Sequence, residues 1–183
     1  PTKNLGHSDK LMKEIMSLDV KGILQFTDML VPLGTGDDTN VRYAIQSLAI
    51  YAGGMQSKIE NNVVEQAILK ALQKTNNQEV KTFLIDRLVF CGSHESVASL
   101  SKYLKDDALF KPALSALTAI GNTKASEAIM EAAQSAKNNE QLALIHALGT
   151  LKYQPAVNFI AGLASSNSKD EQQYALSALS EIA

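Results

Sequence analysis

The sequence predicts an all-α protein, a solenoid of antiparallel helix pairs. Three observations carry that expectation. First, a unit of 13 or 14 residues occurs five times: NVRYAIQSLAIYAG, EVKTFLIDRLVFCG, LFKPALSALTAIG, EQLALIHALGTLK and EQQYALSALSEIA. The copies end at Gly53, Gly92, Gly121, Lys152 and Ala183, at intervals of 39, 29, 31 and 31 residues. Such a period fits one helix pair per repeat, each burying its apolar face against the next. Second, the copies place apolar residues at three- and four-residue steps, as at Leu114, Leu117 and Ile120, or Leu144, Ala147, Leu148 and Leu151. That spacing lines one face of a helix. Third, small residues stand beside the large ones (Ala113, Ala116, Ala119, Ala175, Ala178), which lets neighbouring helices approach closely.

In chain order, residues 1–7 read as a disordered lead-in and 8–183 as one domain. Residues 8–36 form a divergent capping pair. Ser8 or Asp9 caps a helix to about Leu18, with Leu11, Met12, Ile15 and Met16 as its apolar stripe. Asp19 caps a second helix, Val20 to about Val31, with Ile23, Leu24, Phe26, Met29 and Leu30 facing inward. Pro32 stops it.

Residues 37–183 hold the repeats. The copies form A helices at about Thr39–Tyr51, Gln78–Cys91, Ala108–Ile120, Asn139–Leu151 and Lys169–Ile182. B helices lie between them at about Glu60–Gln73, Glu95–Leu104, Lys124–Ser135 and Gln154–Ala164. Glycine at the end of the first three copies predicts a left-handed residue closing each helix. Pro112 sits in a first turn, where its missing N–H costs little. Asn, Ser and Thr clusters at 75–77, 138–139 and 165–167 mark the turns. No B helix follows the fifth A helix, which predicts that the natural chain continues past Ala183.

Composition narrows the function classes. Lys and Arg number 17 against 19 Asp and Glu, a net charge of −2. That balance offers no basic surplus for nucleic acid or an anionic membrane. No apolar run approaches the ~20 residues of a membrane helix. One cysteine, Cys91, excludes an intrachain disulfide and sits on an apolar helix face, where it reads as a small buried hydrophobe.

The VR-x-x-AI-x-x-L pattern at Val41 to Leu48 and AL-x-AL-x-x-IG at Ala113 to Gly121 resemble HEAT repeats, in the bacterial subtype also seen in phycobilisome-lyase-like proteins. The resemblance spans about Asp37 to Ala183 and implies a right-handed α-solenoid, a HEAT-like superhelix. The stretch MLVPLGTGDDTNVRYAIQSLAIYAGG is also similar to a HEAT region of exported Bacteroidetes proteins, some of which carry a sugar-hydrolase-like domain. That likeness implies a periplasmic or exported setting and an accessory role in a larger carbohydrate-active protein.

Residues suited to chemistry are sparse. Gly34, Gly36, Asp37 and Asp38 read as a turn and an N-cap. A cation site there has too few oxygen ligands at suitable spacing, and a phosphate loop needs a following Lys and a preceding strand. The histidines are His7, His94 and His146. His94-Glu95 is similar to the His-Glu pairs of the HEAT-type deoxyhypusine hydroxylases, but one pair cannot assemble a di-iron site. No serine sits in G-x-S-x-G, and Glu127 and Glu131 read as solvated helix-face carboxylates. The phycobilisome-lyase resemblance implies a phycobilin-lyase-like enzyme as a remote alternative, without an identifiable pigment-handling residue. The expectation is therefore a non-catalytic protein-interaction or scaffold module, with no cofactor, metal or catalytic residue. In HEAT-like arrays the B helices line the concave face. The candidate contacts there are Glu65, Lys70, Lys102, Tyr103, Glu127, Glu131, Gln134 and Asn158, with Phe159 as an aromatic anchor. The partner is a protein or another domain of the same chain.

Overall fold

A computed structural model describes residues 10–54 and 58–183, the side chains of 58–62 excepted. All regular structure among the described residues is helical. The lead-in and the capping roles of Ser8 and Asp9 lie outside the described residues.

The chain divides into two compact units, Pro1–Ser96 and Val97–Ala183. The first contains α1 (10–16), α2 (Asp19–Asp28), α3 (Thr39–Gly54), α4 (Lys58–Lys74) and α5 (Gln78–Cys91). There α2 packs on α3 and α4, α3 on α4 and α5, and α4 on α5. The second contains α6 (Val97–Tyr103), α7 (Phe110–Ile120), α8 (Thr123–Ser135) and α9 (Asn138–Thr150). A 3-10 turn (Gln154–Ala156), α10 (Val157–Leu163) and α11 (Lys169–Ile182) follow. Here α6 packs on α7 and α8, α7 on α8 and α9, α8 on α9, and α11 on both α9 and α10. Within each unit most helices pack against the next and the next but one; α10 packs on α11 but not comparably on α9 or α8. Among the A helices α3 lies beside α5, α7 beside α9 and α9 beside α11; among the B helices α6 lies beside α8.

The apolar stripes explain the packing. Ile45, Leu48, Ala49 and Ala52 of α3 are buried, as are Leu84, Ile85 and Leu88 of α5. In the second unit Ala113, Ala116 and Leu117 of α7 are buried with Leu144, Ile145 and Leu148 of α9. Side chains cap several helices: Asn77 Oδ1 accepts from Val80 N–H, Asn122 Oδ1 from Ala125 N–H and Ser168 Oγ from Glu171 N–H. Asp19, at φ 62, caps α2 by accepting from Lys21 and Gly22 N–H.

Several expectations are corrected. Of the three glycines, only Gly121 is left-handed, at φ 59. Gly92 is extended at φ −70, and Gly53 lies inside α3, which runs on to Gly54. The Lys152 backbone is left-handed at φ 51 without a glycine. Helix α2 ends at Asp28, so Met29 falls outside it and is 58% exposed. Leu11 is also exposed. Helix α6 starts at Val97 instead of Glu95, and the segment from Gln154 opens as a 3-10 turn around Pro155.

Two glycines serve a different purpose: close approach. A Cβ on Gly53 would run into the carbonyl oxygen of Phe90 in α5, and one on Gly149 would stand 2.8 Å from Ala178 Cα in α11. These are the seams between successive A helices.

Two outcomes are expected. Leu117→Asp buries an unpaired charge at a fully buried site and should cost roughly 3 kcal/mol or more in urea unfolding. Helix propensity alone favours Ala over Gly by about 1 kcal/mol. Gly162, with open space around it, should therefore stabilise on Gly162→Ala, whereas Gly149→Ala should lower the melting temperature because backbone blocks the new methyl.

Candidate binding surfaces

A polar network fixes the loop before α3. Asp38 is buried; Oδ2 accepts from Val31 N–H at 3.0 Å, and both carboxylate oxygens accept from Arg42 Nε at 2.9 Å. Arg42 also donates to Val31 O and, bidentately, to Glu79 of α5 at 2.7 and 2.9 Å. Burial works to raise the Asp38 carboxyl, but the hydrogen bonds from Arg42 and Val31 outweigh it and hold it below the usual carboxylate value. Asp37 Oδ1 accepts from Thr39 N–H. The loop is thus a braced turn and cap. No group of three or more His, Cys, Asp or Glu suited to a metal occurs among the described residues.

Beside this network, Phe83 of α5 lies against two guanidinium groups, Arg42 at 4.8 Å and Arg87 at 4.7 Å from the ring centroid. Arg87 differs from Arg42. It donates Nη1 to the neutral amide oxygen Gln46 Oε1, its Nε is buried without a hydrogen-bond partner, and no ion pair reaches it among the described residues. Burial lowers its pKa, and also raises that of the neighbouring Asp86, which attracts it over a longer distance.

The sequence-derived B-face residues fare unevenly. Lys70, Lys102, Glu127, Glu131, Gln134 and Asn158 are exposed, and Tyr103 and Phe159 are half-buried. Glu65 is a correction: it is 1% exposed and cannot face a partner. Its Oε1 accepts from Ser93 N–H at 2.7 Å, from Ser93 Oγ at 3.0 Å and from Ser96 Oγ. It is a buried clamp between α4 and the turn after α5. Lys102 and Glu131 share a shallow groove of about 310 Å³ between α6 and α8. The other candidates do not join them there.

A larger groove, about 680 Å³, lies on the A helices α7 and α9. Phe110, Leu114, Ala143 and Ala147 form its apolar floor, and Asp107, Lys111, Glu140 and His146 stand on its rim. The repeat register explains the opening. A step of 31 residues carries Thr118 to Gly149 and Ala147 to Ala178. Gly149 lets α9 meet α11 at Ala178, whereas Thr118 and Ala147 both line the groove. Sequence reasoning missed this site; the threonine standing in the glycine's place was the available signal. His94 is exposed in the turn before α6. No helix among the described residues is long and apolar enough to cross a membrane.

No protein-family model matches the chain, and no curated protein matches it significantly.

Cys91 is fully buried, and burial pushes its thiol from an ordinary value of 9.0 up to about 12. The thiolate is the reactive form. Labelling by a thiol reagent at pH 8 should therefore be slow in the native protein and accelerate in proportion to the unfolded fraction as urea is added. Rapid labelling without denaturant would contradict the buried placement.

Proposed function

We propose that this chain is a non-catalytic protein-interaction module, built as a HEAT-like solenoid, whose principal site is the groove between α7 and α9. The observation that carries the reading is that groove between two helices, its lining mainly apolar and its charged residues exposed or half-buried at its edge. Its volume lies within the range of specific binding clefts. The flanking α7 is 11 residues, about 16 Å, long. An amphipathic helix of a partner protein fits, laying apolar side chains at i, i+3, i+4 and i+7 along the floor. Asp107 and Glu140 outnumber Lys111 on the rim, which favours a partner helix with basic flanks. The repeat logic in the sequence and the next-but-one packing within each unit support the solenoid reading.

A second reading keeps the partner on the B helices. The groove that brings Lys102 and Glu131 together favours it, though its mixed charge and small size offer less apolar area. An accessory role beside a separate catalytic domain is compatible with either surface.

The test uses the whole chain as bait, with Ala143→Arg as a groove-blocked control and Lys102→Glu with Glu131→Lys as a B-face control. Partners held by the native chain and lost with Ala143→Arg, but kept by the B-face variant, are expected. The converse selectivity would support the B face and refute the groove. Tightly bound stoichiometric metal or a covalent pigment, seen by metal assay and intact mass, would overturn the non-catalytic reading.

A further inference from the structure

We propose that the face shared by α3 and α5 in the first unit binds a second kind of ligand, an acidic segment of a partner protein that sets a carboxylate between apolar side chains. Three observations meet on this face. Arg87 is half-buried, bonded to a neutral amide, with its Nε unpartnered and no ion pair among the described residues. Asp86 attracts it only from beyond ion-pair distance, so the burial of the guanidinium is incompletely offset, and a carboxylate from outside supplies a direct ion pair that the described residues do not. Arg42 contacts the same ring but is already neutralised by Asp38 and Glu79, so it anchors Phe83 and leaves Arg87 as the cation to be matched.

The second observation is the apolar border. Tyr43 is 75% exposed, Ile50 47% and Phe90 45%. Tyr43, Gln46 and Ile50 form one stripe of α3; Phe83, Asp86, Arg87 and Phe90 form one stripe of α5. The Gln46–Arg87 hydrogen bond and the contact of Gly53 with the Phe90 carbonyl join the stripes. Single exposed apolar residues are ordinary, but an arginine bordered by tyrosine, phenylalanine and isoleucine has the composition of an interface hot spot.

The third is preorganisation. Stacking on Phe83 and the bond to Gln46 hold the guanidinium before a ligand arrives, which lowers the ordering cost of binding. Asp86 on the same stripe repels a run of acids, so a lone carboxylate flanked by aliphatic or aromatic side chains fits better than a polyacidic tract. The net charge of −2 and the neutralised Arg42 argue against a phosphate backbone.

The probe is a displayed library of short random peptides selected on the full chain. Enriched sequences should carry Asp or Glu beside Leu, Ile or Phe, and their Asn or Gln analogues should bind about tenfold more weakly or worse. Arg87→Met should weaken the same peptides to a similar extent. Tyr43→Ala, at a site too exposed to affect folding, should weaken them about fivefold and covers the case in which Arg87→Met unfolds the protein. Peptides lost instead with Ala143→Arg belong to the α7–α9 groove and report on that site separately. The proposal is overturned if nothing enriches, or if no enriched peptide loses affinity with Tyr43→Ala and on replacing its carboxylate.

Discussion

Close approach of successive A helices is the constraint on which the rest of each unit depends. The contact is made at residues with little or no side chain: Gly53 against Phe90, and Gly149 against Ala178. Buried alanines (Ala49, Ala52, Ala113, Ala116) extend the same logic along α3 and α7. With backbones this close, the large residues of each helix are driven to the interior beneath the seam, where Leu48, Leu88, Leu117 and Leu148 are fully buried. Dense packing of this kind tolerates neither added volume at the seam nor removed volume below it.

Where the seam cannot close, surface features appear. Thr118 takes the place that a glycine holds one repeat later, its hydroxyl bonded to Leu114 O at 2.8 Å, and the groove between α7 and α9 opens beside it. Where apolar contact alone does not set the turns, buried polar clamps do. Asp38, Arg42 and Glu79 join the loop before α3 to the first turn of α5. Glu65 gathers Ser93 and Ser96 into the turn before α6. Both clamps satisfy groups whose burial would otherwise be costly.

The sequence made the helices legible because their periodicity and their caps are local properties. Gln78–Cys91 and Lys169–Ile182 start where Asn77 and Ser168 end the preceding turns, and both cap with their side chains. The roles of the glycines were not legible. One letter served an extended cap at Gly92, a left-handed cap at Gly121 and a helix-interior contact at Gly53, and tertiary packing decides among them. Glu65 misled for a related reason: on a polar B-helix stripe it looks solvated, and its donors lie 28 and 31 residues away. The groove was hidden because it depends on the separation of two helices, which no single-helix pattern encodes.

The two arginines beside Phe83 show how one unit treats the same side chain in two ways. At Arg42 the guanidinium is matched by Asp38 and Glu79, so its charge is spent inside the fold. One turn further along α5 from the same ring, Arg87 donates to the neutral amide of Gln46 and is attracted by Asp86 without a direct ion pair. The difference follows from position. Arg42 faces a loop whose backbone and carboxylates converge on it, while Arg87 faces the shared outer side of α3 and α5, where Tyr43 and Phe90 stand exposed. A half-buried guanidinium without a direct ion pair has its desolvation only partly offset, and the carboxylate of the proposed partner would supply that contact.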